Sequence, residues 1–80
     1  MDTNLIKELL KKSIFDSVVE VIDTTGTNDH FKVSVISDTF EGMTLINRHK
    51  LIYKALNSFI TKEIHALQIS AKTNKESSNE

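Results

Sequence analysis

The sequence predicts an α+β domain in αββαβ order, a three-stranded mixed sheet with both helices packed on one face. Three observations predict it. Two stretches repeat their apolar residues at helical spacing, near residues 3–13 and 44–62. Two β-branched stretches are joined by a short polar loop, which favours an antiparallel pair. A further apolar stretch after the second helix completes a strand–helix–strand unit, whose right-handed crossover makes the outer two strands of that unit parallel.

Taken in order, Leu5, Ile6, Leu9 and Leu10 fall on one side of the first helix, and Lys7, Glu8, Lys11 and Lys12 on the other. Asp2 or Thr3 suits its N-cap, and the lysines of the last turn suit its dipole. Val18, Val19, Val21 and Ile22 form a β-branched run that predicts a strand at about 17–23. Asp23 to Asn28 and Asp29 form a polar loop around Gly26. Phe31, Val33 and Val35 then alternate with Lys32 and Ser34, the period-two pattern of a half-buried strand over 30–37.

Asp38 to Gly42 reads as a turn, with Gly42 in a conformation other residues resist. In the second helix, steps of ~100° bring Leu45, Leu51, Ile52, Ala55, Leu56 and Phe59 into one arc. Lys50, Lys54, Asn57 and Thr61 lie outside it. Arg48 points into the arc by phase. Its guanidinium is expected to emerge at the core rim and meet a carboxylate, backbone carbonyls or a partner. The third strand is expected over 64–70, with Leu67 and Ile69 on one face. The domain is thus expected over 1–73. The polar stretch 74–80, without apolar anchors, reads as a disordered tail.

Composition narrows the function. The chain has 80 residues, 39% of them hydrophobic, which suffices for one small core. With no cysteine, it supplies no disulfide, thiolate ligand or thiol nucleophile of its own. A net charge of −1 lacks the basic excess of a dedicated nucleic-acid binder. No stretch approaches a membrane span, and the first residues lack the basic-then-apolar order of a signal peptide. The chain reads as cytoplasmic, or as the mature form of an imported protein.

Catalytic patterns are missing. The two glycines are far apart, which rules out a phosphate loop, and His30, His49 and His65 match no metal-site spacing. A non-enzymatic role follows. By spacing alone, His65 opens the third strand as a core-edge histidine bonded to a backbone carbonyl, and His30 is an exposed loop histidine facing away from Phe31 and Val33. Arg48, His49, Lys50 and Lys54 form a small basic cluster, either solvated or an anion or nucleic-acid contact. Lys50 and Lys54 repel at i,i+4 by ~0.2–0.5 kcal/mol.

Four linked motifs carry a resemblance. They are His30-Phe31-Lys32-Val33-Ser34-Val35-Ile36-Ser37, Phe40-Glu41-Gly42-Met43, Arg48-His49-Lys50-Leu51-Ile52-Tyr53-Lys54-Ala55-Leu56 and Ile64-His65-Ala66-Leu67. In this order and at these intervals the chain resembles the BolA-like family over roughly residues 5–73. The resemblance implies an αββαβ fold similar to the class II KH domain. It implies a monothiol glutaredoxin as partner, with a shared [2Fe-2S] cluster used in cluster trafficking or iron sensing, and glutathione supplied through that partner. Some family members are DNA-binding regulators of morphology and stress response, and a weak homodimer is a further association to be expected.

By the same resemblance, the histidine of the last motif is a cluster ligand, here His65. A second ligand is expected from the loop between the first two strands, where relatives carry Cys or His. Thr24 to Asp29 contain neither. The nearest candidate is His30, with Asp29 or Asp23 as oxygen alternatives. Arg48 and His49 match the family's Arg-His pair, implied to brace the helix start or to contact the glutaredoxin and its glutathione. The Thr-Pro-x-x-Trp segment of relatives is lacking: Asn74 follows Thr73, and there is no tryptophan. The leading expectation is a glutaredoxin-binding accessory protein. The runner-up is a transcriptional regulator that binds nucleic acid through Arg48, Lys50 and Lys54.

Overall fold

Asp2 begins the first helix, its carboxylate accepting from the Asn4 backbone N–H at 2.9 Å and satisfying a donor that a helix start leaves open. The computed structural model describes residues 1–60 and 62–79. Helix α1 spans Thr3–Ser13, with Lys11 and Lys12 in its last turn. Ile6 and Leu10 are fully buried, Leu9 half-buried, and Leu5 largely exposed, so the working stripe is narrower than the four apolar residues suggest.

Strand β1 (Val18–Asp23) pairs antiparallel with β2 (His30–Ile36), Val19 opposite Val35 and Val21 opposite Val33. β2 pairs parallel with β3 (Ala66–Lys72), Phe31 opposite Leu67, Val33 opposite Ile69 and Val35 opposite Ala71. The mixed three-stranded sheet is as expected, with β2 in the centre. Because side chains alternate faces along a strand, these partners line one face together. Ile6, Leu10, Ile52 and Leu56 join Phe31, Val33 and Val35 in one buried cluster. Val18 and Ile22 of the opposite face stay exposed.

The β1–β2 loop is organised by Asp23. Its carboxylate accepts from the backbone N–H groups of Thr25, Gly26 and Asn28 at 3.3, 2.9 and 3.0 Å. After β2, Asp38–Phe40 form a 3₁₀ turn capped by Ser37, and Gly42 takes φ +75°, as its position predicts. Asp16 ties this turn to the start of β1, accepting from the Ser37 and Thr39 hydroxyls at 2.7 and 3.0 Å.

Helix α2 spans Leu45–Ala55, and a 3₁₀ turn, Asn57–Phe59, follows. The expected helix to residue 62 is therefore too long. Asn57 and Ser58 are weak helix formers, and the Phe59 carbonyl accepts from Lys62, Glu63 and Ile64 at 3.3, 3.0 and 3.0 Å, which turns the chain instead. Thr61 lies outside the described residues. Leu45, expected in the apolar arc, is 64% exposed. At that end Arg48 covers Phe40, with its guanidinium carbon 5.8 Å from the ring centroid.

The third strand lies two residues later than expected, at Ala66–Lys72, because Ile64 is buried from the turn rather than from the sheet. The expected disordered tail is also corrected. Asn74–Ser78 form a short helix, α3, with a capping box at Thr73. Thr73 Oγ1 accepts from the Glu76 N–H at 3.1 Å, and Glu76 Oε1 accepts from the Thr73 N–H at 2.7 Å. Thr73-x-x-Glu76 is the sequence signature of such a box. Among the described residues, no helix is long and apolar enough to cross a membrane.

Candidate functional site

Parallel pairing of β2 and β3 sets His30 opposite Ala66, so the residue before β3, His65, arrives beside the residue that starts β2. The two imidazoles stack with centroids 6.4 Å apart and planes inclined by 18°. Thirty-five positions of sequence separate them, yet they form one surface feature.

Asp29 binds to both histidines. Its carbonyl accepts from the backbone N–H groups of His65 and Ala66 at 2.8 and 3.3 Å. Its Oδ1 lies 2.7 Å from His30 Nδ1 and also accepts from the Thr27 hydroxyl. The Thr27 hydrogen bond, then the His30 one, holds the Asp29 carboxyl below the ordinary range. His30 is half-buried and His65 exposed. A core-edge position for His65 is therefore corrected: strand phase places Leu67 and Ile69 inward, but His65 precedes the strand, where the alternation does not hold it. Neither aspartate considered as an oxygen ligand is idle, since Asp23 caps its loop and Asp29 serves Thr27 and His30.

The basic cluster does not hold together. Arg48 is 6% exposed. Its Nε donates to the Met43 carbonyl at 3.1 Å, and its Nη1 donates to the Ala71 carbonyl at 3.1 Å and to Glu76 Oε1 at 2.6 Å. Carboxylate and carbonyls, two of the three expected fates of this arginine, are both realised. Lys50 and Lys54 are exposed, and His49 is half-buried. An open groove of about 450 Å³ runs between the start of α2 and the end of β3, lined by Leu45, Arg48, His49 and Lys72 among others.

The histidine pair and this groove occupy opposite ends of β3. Five residue steps separate Ala66 from Ala71, about 16 Å at ~3.3 Å per step. Glu76, which sequence reasoning passed over, is the residue that holds Arg48, and its capping-box spacing was the signal available. Asp29 carried no signal beyond its adjacency to His30.

Chemically, the histidine end offers two imidazole nitrogens of borderline softness on an accessible rim, a donor type that suits iron and zinc. Among the described residues, no group of three or more His, Cys, Asp or Glu side chains is disposed to hold a metal. His30 and His65 alone would leave a metal short of a full set of protein ligands.

Comparison with known proteins adds to this geometry. A family model described as BolA-like protein matches residues 7–76. The DNA-binding transcriptional regulator BolA of Escherichia coli strain K12 is 35% identical over 78 residues, covering 89% of this chain and 74% of that protein. BolA1 from Arabidopsis thaliana superposes with a TM-score of 0.84 at 32% identity, covering 92% of this chain and 93% of that one. The BolA domain of SufE1 from Arabidopsis thaliana gives 0.82 at 36% identity, with the same coverage of 92% and 93%.

Proposed function

This chain belongs to the BolA-like family, and from that premise we propose that it is a non-catalytic accessory protein that binds a monothiol glutaredoxin and takes part in [2Fe-2S] trafficking or iron sensing, in the cytoplasm. His65 is the cluster ligand in this reading and His30 the second donor. Glutathione and the remaining ligands come with the partner. The observation that carries it is the stacked pair of half-buried His30 and exposed His65, 6.4 Å apart, incomplete as a metal site by itself.

The residues suit the role. An exposed imidazole is open to a partner's metal. His30, bonded through Nδ1 to Asp29, has its other nitrogen left to serve as a ligand, the carboxylate–histidine arrangement common at metal sites. Imidazole in place of thiolate raises a cluster's potential, which fits a cluster that is sensed or handed on.

The test is to mix the protein with the monothiol glutaredoxin of the same cell, reconstituted with [2Fe-2S], and record visible absorption and circular dichroism. A spectrum distinct from that of the glutaredoxin alone is expected, and His65→Ala should abolish it without lowering the melting temperature. Retention of the full spectrum by His65→Ala removes that residue from the mechanism.

A second reading, transcriptional regulation through DNA, draws on the name of the Escherichia coli relative. Here the chain brings less to it, because Arg48 is bonded inside the domain and, of the basic cluster, Lys50 and Lys54 are the exposed members.

A further inference from the structure

Asp29 is the residue on which the two histidines converge. Its main chain is bonded to the backbone of His65 and Ala66, and its side chain to the ring of His30. The carboxylate is itself held by the Thr27 hydroxyl, and the loop behind it is braced by Asp23. This is a fixed acceptor, not a wandering surface charge.

We infer that Asp29 is the positioning residue of the histidine pair: its carboxylate locks His30 into the Nδ1–H tautomer, reserving Nε2 as the donor atom beside His65. The inference rests on the reading of His65 and His30 as ligands and deepens it. The chemistry is forced by the partner. An ionised carboxylate accepts and cannot donate, so the nitrogen 2.7 Å from it must carry the proton. In a neutral imidazole the other nitrogen then holds the free lone pair. That same contact fixes the ring plane, against which the His65 ring lies inclined by only 18°. Asp29 is thus an outer partner of the site and not one of its ligands. Such partners are typically worth about 10–100-fold in metal affinity.

Asp29→Ala is the informative variant, since it removes the carboxylate and keeps the carbonyl that binds His65. Long-range proton–nitrogen correlation spectra of the metal-free protein, at a pH well above the ordinary imidazole range, report the tautomer directly. His30 is expected as Nδ1–H in the unmodified chain, and the Ala variant is expected to shift toward Nε2–H. Asp29→Asn, whose amide oxygen still accepts, should restore much of the Nδ1–H form. In the heterocomplex with [2Fe-2S] glutaredoxin, Asp29→Ala should release the cluster to a chelator about 10-fold faster or more, and the effect should vanish in a His30→Ala background.

A wild-type His30 found as Nε2–H, or a tautomer unmoved by Asp29→Ala, overturns the role of Asp29. A wild-type heterocomplex without a distinct spectrum overturns the ligand reading instead, and with it the second donor, whatever the tautomer of the free protein.

Discussion

Arg48 Nη1 donates to Glu76 Oε1 at 2.6 Å across 28 positions of sequence. The same nitrogen reaches the Ala71 carbonyl, Nε reaches the Met43 carbonyl, and the guanidinium lies over Phe40. One buried cation therefore joins α2, β3, α3 and the turn after β2. Its partner is half-exposed, with 48% of the Glu76 side-chain surface open against 7% for Arg48, so water screens the pair from one side.

This pairing predicts a pH dependence. The Arg48 hydrogen bond, then the Thr73 backbone N–H, lowers the Glu76 carboxyl from 4.5 to about 2. A carboxyl depressed on folding stabilises the fold above its unfolded value of 4.5, and that contribution is lost as pH falls through the folded value of about 2. Urea titrations of wild type and Glu76→Gln should differ by a constant amount near neutral pH. The gap should narrow below 4.5 and close near 2. A gap that persists unchanged at the acid end would show that Glu76 acts through something other than its charge.

Arg48→Met keeps most of the volume and removes every donor. The Met43 and Ala71 carbonyls lose their side-chain donor, and the buried Ala71 acceptor, left orphaned, costs about 1–3 kcal/mol. The variant should be less stable than Glu76→Gln by chemical denaturation, and the amides of α3 should exchange faster. Equal stability of the two variants would mean that the carbonyl bonds contribute nothing.

If the chain binds duplex DNA through this helix, Lys50 and Lys54 supply the exposed charge. Two neutralised phosphates give a slope of about −1.8 for log affinity against log salt, and Lys50→Ala with Lys54→Ala should flatten it. Fluorescence anisotropy over a salt series measures this. A slope much steeper than about −2, surviving the double substitution, would place the contact on another surface.

Gly42 sits at φ +75° with no atom within 4 Å of where a Cβ would stand. The cost of Gly42→Ala is therefore conformational and not steric, about 1–2 kcal/mol. Gly42→Asn should recover part of it, since asparagine tolerates this region better. Thermal melts of the two variants rank them, and a stable Ala variant would mean the turn relaxes.

Much of the fold was legible because its signals are local. The alternation of Phe31, Val33 and Val35 marks a strand face within a few residues, and the short polar loop after Asp23 compels β1 and β2 to pair. The end of α2 was missed because Phe59 and Ile60 continue an apolar pattern that a 3₁₀ turn serves equally well. The start of β3 was missed because Ile64 is as buried as a strand residue without belonging to the strand. α3 was legible in Thr73 and Glu76 but obscured by a polar composition that reads as a tail.

The sequence by itself determined the αββαβ order, the pairing of the strands, most of the inward residues and the family motifs. All of these follow from side-chain period, loop length and residue type over short stretches. Only the tertiary structure decided that His65 stacks on His30, that Asp29 binds both, and that Arg48 is bonded to Glu76 instead of standing beside Lys50 and Lys54. Apart from the bond between the adjacent Asp29 and His30, those contacts join residues far apart in the chain. Their geometry is set by the parallel register of β2 and β3 and by the closure of α3 on β3, which no local pattern encodes.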